Sequence, residues 1–338
     1  MASGTRVAVL EARDRVGGRD ATIAAYDELG GTLDRIDQAI TKAGKAGRDV
    51  SASSVIAEKG IWAPLACALI GDISAGVPLR ELSTANYAAQ FGRGDDALVA
   101  AGLGTIVAKY GEQVAVQLGT PVDRISWGPN QVSISTARGT LNARVAIVTV
   151  STGVLGGQAI RFTPELPDWK RDAIAHVPMG ALNKVALQFD RPFPDADDNT
   201  SVNYPVKAGE AVSFLINPFG APLAIAFVGG ETARDMEGQE QSVAVEFIRE
   251  QLASMFGSAV NKRFVKGHAT AWGQDPYSLG AYAAAKPGYN RMRRELRRTI
   301  KGRLYFAGEA THNEWAGQLP GAYLSGVRAA RDYLLDRG

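Results

Sequence analysis

Residues 7–10 (VAVL) form a short apolar run closed by an acid, Glu11, and the residues that follow, ARDRVGGRD, are charged and glycine-bearing. A run of this length reads as a buried strand, and open α/β sheets bind nucleotides at the carboxyl ends of their strands. A carboxylate in that place accepts hydrogen bonds from ribose hydroxyls, a role that suits Glu11. Gly17 and Gly18 let backbone approach a pyrophosphate closely, and Arg19 can pair with its charge. An ordinary exposed turn after a strand has the same composition.

These residues need elements to hold them. Between 21 and 46, Ile23, Tyr26, Leu29, Leu33, Ile36 and Ile40 recur every three or four residues, which predicts a helix interrupted at Gly30 and Gly31. Residues 61–110 keep a helical pattern broken by glycines. From 114 to 150 the period changes: VAVQL, VDRISW, VSIST and ARVAIVTV are strand-like runs separated by turn residues, predicting a small meander that returns the chain to the main sheet. More strands are expected between 182 and 228, an amphipathic helix over 241–256, a strand in RLYFAG and a closing helix over 321–335.

Composition excludes several classes. With 338 residues, 46% hydrophobic and 21% charged, the chain can bury a large core. Thirty-seven basic against 35 acidic side chains leave a net charge of +2, no bulk electrostatic reason for a nucleic-acid or membrane partner. One cysteine, Cys67, and three histidines offer neither an internal disulfide nor a zinc-type cluster, so no metal is expected. Charges interrupt the N-terminal residues and no apolar run reaches membrane-spanning length, so the expectation is a soluble cytoplasmic protein.

VAVLEARDRVGGR resembles the second-strand segment of flavin amine oxidases and related flavoprotein oxidoreductases, and RLYFAGEATHNEWAGQLPGAYLSGVRAARDYL is similar to their C-terminal flavin-binding segment. The resemblance implies a mixed α/β fold in which an incomplete Rossmann-like FAD-binding domain (1–20, 100–165 and 290–338) interleaves with a sheet-and-helix substrate domain (21–99 and 166–289). It assigns Glu11 to the ribose, with Arg13, Gly17, Gly18 and Arg19 beside the cofactor. Gly308 and Glu309 fall at its ribityl and phosphate portion, and Leu319 and Ala322 at the flavin ring, where the helix N-terminus favours negative charge. TPVDRI is similar to the segment whose valine, Val122, meets the adenine end through its backbone.

MGALNKVALQFDRPF resembles the strand whose lysine holds a water against flavin N5, which implies that catalytic role for Lys184. AWGQDPYSLGAY resembles the segment that forms one wall of an aromatic substrate cage, which implies that role for Tyr282. An exposed strand lysine and a packed core tyrosine are the competing readings. Three departures qualify the resemblance. The sequence opens at MASGTRVAVLEA, past the first strand and GxGxxG turn of the family, and no GxGxxG occurs elsewhere. Ala281 stands where monoamine oxidases carry the cysteine that attaches flavin covalently, and Gln318 where they place the second cage aromatic.

Noncovalent and weak FAD binding is therefore expected, with a small-molecule amine as substrate and the oligomeric state open. The implied reaction is oxidation of a C–N bond to an imine, with dioxygen as acceptor and hydrogen peroxide as product. Two alternatives remain: a noncatalytic truncated relative with weak or no FAD binding, and another flavoprotein oxidoreductase such as a carotenoid desaturase. The second shares both nucleotide-binding ends but does not require NKVALQF or DPYSLGAY.

Overall fold

A computed structural model describes residues 19–90, 97–193, 196–207 and 209–336, apart from the side chains of 19–26 and 207. Glu11, Arg13, Gly17 and Gly18 lie outside the described residues, and Arg19 is described only as the backbone residue that opens the first helix.

That helix, α1 (Arg19–Lys45), runs unbroken through Gly30 and Gly31. Its apolar stripe explains why: Leu29, Ile36 and Ile40 are at most 2% exposed, packed against α2 (Ala63–Ala68) and α3 (Thr84–Ala89). Tertiary burial of that face outweighs the cost of two helical glycines, about 1 kcal/mol each. Gly44 sets the closeness of the contact with α3, because a Cβ there would lie 2.2 Å from the Thr84 carbonyl oxygen. Between α2 and α3 the chain makes a π-helical turn, Leu69–Ala75, closed by Gly76 at φ 69°. The helical stretch ends with α4 (Leu103–Tyr110), none of whose residues is buried.

Strands β1 (Val122–Trp127) and β2 (Val132–Thr136) fill two of the expected runs, and β3 (Gly139–Ala143), which overlaps those runs only at Ala143, completes a meander with them. VAVQL, residues 114–118, does not join it. Val114, Val116 and Leu118 are 65–79% exposed, because an alternating run becomes a strand only beside a partner edge, and none of the described strands pairs with it. Strand β4 (Ala146–Val148) leaves the meander for a different partner. After α5 (Thr152–Gly156), β5 (Arg161–Thr163) adds in parallel to β1, giving the order β3-β2-β1-β5, and α6 (Asp168–His176) follows.

Next come β6 (Leu182–Phe189), β7 (Thr200–Lys207), β8 (Glu210–Ile216) and β9 (Leu223–Gly229), then α7 (Gly230–Glu237), α8 (Gln241–Phe256) and β10 (Phe264–Ala269). The five strands form an antiparallel sheet in the order β10-β6-β9-β8-β7. One face of β6 buries Val185, Leu187 and Phe189 with Ile248 and Leu252 of α8 in the main core, and the other face carries Lys184. Finally α9 (Met292–Arg297) precedes β11 (Leu304–Phe306), which pairs in parallel with β4, and α10 (Leu319–Leu335) closes the chain. Among the described residues no helix is long and apolar enough to cross a membrane.

Candidate active site

The site is assembled where β11 ends. Gly308 takes φ 121°, a conformation that favours glycine, and its N–H donates to Ser325 Oγ at 2.8 Å, tying the strand end to α10. Glu309 follows in a single 3-10 turn, and its carboxylate joins two distant segments. Oε1 accepts the Ala283 N–H at 2.9 Å and Oε2 accepts the Gly317 N–H at 2.7 Å. Tyr282 and Gln318 are the chain neighbours of those two amides, so one carboxylate sets the spacing of both expected substrate residues. Burial pushes the Glu309 carboxyl above its ordinary range, opposed by Arg293 and the two amides.

Tyr282 lies against both glycine turns. A Cβ built on Gly76 would sit 3.1 Å from its ring, and one on Gly317 3.7 Å from it. Its hydroxyl donates to the Ile73 carbonyl of the π-helical turn at 3.0 Å, and burial pushes the phenol well up. Gln318 is the N-cap of α10, followed at once by exposed Leu319, while Ala322 donates its N–H to the Gln318 carbonyl. The structure therefore brings Tyr282, Glu309, Gln318 and Leu319 together. Val122, at the start of β1, packs against the cluster holding Ala283, Phe306 and Ala310.

Lys184 belongs to the same neighbourhood through its backbone. Gly180 exchanges bonds with the 281–282 segment (Gly180 N–H to Tyr282 O 2.7 Å, Ala281 N–H to Gly180 O 2.9 Å), and Lys184 follows it four positions on, in β6. The Lys184 carbonyl accepts the Thr270 N–H at 2.9 Å, where the 270–282 segment begins. Its Nζ is exposed and lies 5.4 Å from the Phe227 ring centroid. Asn183 beside it holds the same segment: Oδ1 accepts from Trp272 N–H and from Thr270 Oγ1, both at 3.1 Å, and Nδ2 donates to Glu237 at 2.6 Å.

Sequence reasoning missed the support beneath these residues. Arg293 is 2% exposed and donates to the Ala283 carbonyl (2.7 Å), the Ala310 carbonyl (3.0 Å) and Asn86 Oδ1 (2.9 and 2.7 Å), so Ala283 is gripped on both sides, by Arg293 and by Glu309. Burial pushes its guanidinium down to about 10. Lys170, fully buried on α6, donates to the carbonyls of Glu295, Leu296 and Arg298 at 2.5–3.0 Å and so caps the C-terminal end of α9. Neither carries a sequence signal, because Arg293 sits in the charged run MRRELRR, which reads as a solvated face.

The arrangement fits a flavin cofactor. At the end of β11, Gly308 presents bare backbone. The 17-residue helix α10, tied to Gly308 through Ser325, begins after Gln318 with the exposed Leu319, and its N-terminal end carries partial positive charge. Both Glu309 oxygens already accept one amide each, which leaves each a lone pair for a ribityl hydroxyl. Among the described residues there is no group of metal-binding side chains.

Comparison with known proteins agrees with this geometry. Residues 68–334 match the family profile of flavin containing amine oxidoreductases. The lysine-specific histone demethylase 1 homolog 2 of Arabidopsis thaliana is 32% identical over 71% of this chain and 33% of its own length. Polyamine oxidase 4 of Oryza sativa subsp. japonica is 32% identical over 70% of this chain and 49% of its own. The match spans no more than about half the length of these and other curated relatives, from 16% to 49%. In three dimensions it resembles the cyclohexylamine oxidase of Brevibacterium oxydans, with a TM-score of 0.73 at 19% identity, covering 99% of this chain and 82% of that one. A redesigned putrescine oxidase superposes with a TM-score of 0.74 at 17% identity, covering 96% and 78%. The chain belongs to the flavin-containing amine oxidoreductase family.

Proposed function

We propose that this chain oxidises the C–N bond of a small amine to an imine, with FAD held noncovalently, dioxygen as acceptor and hydrogen peroxide as product. The observation that carries the reading is the Glu309 carboxylate, which ties the Tyr282 and Gln318 segments together at the N-terminus of α10. Val122, Gly308, Glu309, Leu319 and Ala322 would hold the cofactor together with Arg19 and, outside the described residues, Glu11, Arg13, Gly17 and Gly18. When bound, the flavin supplies the two-electron acceptor for oxidation of the carbon next to nitrogen. Tyr282 and Gln318 flank the amine and orient that carbon. Lys184 holds a water on the open face of β6 through its ammonium. The FAD-binding part comprises 1–20, 100–165 and 290–338, and the substrate part 21–99 and 166–289.

Titrating FAD into the protein while following flavin fluorescence tests cofactor binding, and adding a panel of amines while measuring peroxide tests the reaction. Saturable flavin binding with amine-dependent peroxide supports the reading, and flavin-loaded protein inert to every amine overturns it. Lys184→Met should preserve flavin affinity, since it leaves the Glu309 and Leu319 contacts intact, and should slow flavin reduction or reoxidation in stopped flow. Unchanged rates in both half-reactions would make Lys184 an ordinary strand lysine. The noncatalytic reading is favoured by the apolar faces of α4 and α10, which stand open among the described residues. Failure to bind flavin would select it.

A further inference from the structure

A groove of about 930 Å³ lies among β5, α5 and α6, apart from the residues assigned above: Lys184, Tyr282, Glu309, Gln318 and Val122 do not line it. Leu155, Ile160, Phe162, Ile174, Met179 and Leu279 form the apolar part of its wall, and Gln158, Thr163 and Glu165 are among its polar lining. Arg124, Arg161 and Arg171 also line it. Arg171 is ion-paired with Glu165, at 2.6 Å, and with Asp168. Arg124 and Arg161 are exposed, and neither has a carboxylate partner among the described residues. They stand opposite each other in the β1–β5 register, so their Cα atoms are about 5 Å apart and both guanidiniums can reach one anionic head.

Two further observations mark the groove as a built feature. Thr152, on its wall, is 4% exposed and its Oγ1 has no hydrogen-bond partner. Gln158 (φ 57°) and Leu279 (φ 49°), both on the wall, hold left-handed backbone that costs free energy for residues other than glycine. Close packing holds Leu279 there, since a Cβ on Gly153 of α5 would lie 2.5 Å from its carbonyl oxygen.

We propose that this groove is a second binding site, for an amphipathic carboxylate whose apolar body lies along the wall and whose head faces Arg124 and Arg161. The volume suits a drug-sized ligand, and the planar guanidinium fork matches a carboxylate bidentately. A singly charged head is favoured over a dianion because desolvating it against an apolar wall costs less. The unbalanced guanidiniums repel a protonated amine, so this is not a second place for the proposed substrate.

The test uses the full chain and three probes of one shape: 5-phenylvalerate, 5-phenylpentan-1-ol and 5-phenylpentylamine, titrated by calorimetry. The carboxylate should bind at least about tenfold more tightly than the alcohol, a difference of the size a charge-assisted contact supplies. Arg124→Gln combined with Arg161→Gln should remove that difference without moving the thermal midpoint, since both side chains are exposed. Equal affinity for acid and alcohol, an unchanged acid affinity in the double variant, or no binding at millimolar concentration would overturn the proposal. So would displacement of the bound carboxylate by FAD, which would make the groove part of the cofactor site. The comparison of probes on the unaltered chain stands even if the double variant fails to fold.

Discussion

The five-stranded sheet with its covering helix α8 and the α4–α10 helix pair use the same kinds of apolar residue with opposite results. In the first, Val185, Leu187, Phe214, Ile216, Ile248 and Leu252 are all fully buried, because α8 covers one face of the antiparallel sheet. Strands β4 and β11 are buried apart from Ile147, but α4 and α10 keep apolar faces open among the described residues. Leu103, Ile106, Val107 and Tyr110 of α4 and Leu319, Tyr323, Leu324 and Val327 of α10 are 41–72% exposed, and the two helices meet through a Tyr110–Tyr323 hydroxyl bond. Parallel strands are ordinarily covered on both faces by helices. The five-stranded sheet is thus covered by helix on its core face, while the candidate site lies at the N-terminal end of the more open helix α10 and relies on buried polar braces.

The largest effect should come from the covered side. Phe214→Ala removes a fully buried ring from the sheet core and should cost about 3–5 kcal/mol, read from urea unfolding. A cost below about 1 kcal/mol would mean that the main core is looser than its burial implies.

Next is the brace under β11. Lys170→Met leaves three buried carbonyls without their donor and should cost about 2–4 kcal/mol. Burial pushes the Lys170 ammonium down to about 6 from its ordinary 10.5, opposed by the Glu295 carboxylate and helped by the charges of Arg298 and Arg328. The folded chain then releases a proton that the unfolded chain keeps between those values, so the stability contributed by this group rises as pH climbs from about 6 toward 10.5. Unfolding midpoints at the two ends of that window should show the rise in the parent and not in the variant. A slope shared by both would assign it to other groups.

Glu309→Gln should act more locally. The side chain keeps its size but can accept only one of the two amide protons, and it loses the charge near Arg293, for a cost of about 1–3 kcal/mol. Hydrogen exchange at Ala283 and Gly317 should quicken well before global unfolding. If both amides keep their protection, other contacts position Tyr282 and Gln318.

The smallest effect belongs to the open faces. Leu103→Ser and Leu324→Ser should each change stability by no more than about 0.5 kcal/mol in chemical denaturation. A loss of about 2 kcal/mol or more at either would show that the face is covered in solution and would erase the contrast between the two regions.

Much of this architecture is legible in the chain. The helix over 241–256 and the strand runs from 182 to 228 follow from periodicity, because side chains of one period can bury one face only in one secondary structure. Resemblance to the flavin amine oxidase motifs is what singled out Glu309 in AGEAT and Lys184 in LNK. Where local pattern and tertiary contact disagreed, contact won: α1 continues through Gly30 and Gly31 because its stripe is buried, and residues 114–118 form no strand because none of the described strands pairs with them.

The sequence by itself determined the family, the kinds of element and the chemical types available to a site. Only the tertiary structure decided which member of a charged run would turn inward. Arg293 has arginines at 291, 294, 297 and 298 around it and the same intrinsic preferences as each of them. It alone among them is nearly fully buried, because Asn86 on α3 and the carbonyls of Ala283 and Ala310 converge where its side chain points. Those acceptors come from segments up to 207 residues away, and no local pattern encodes their meeting. A buried guanidinium is tolerable only where several acceptors converge, and convergence is a property of the folded chain.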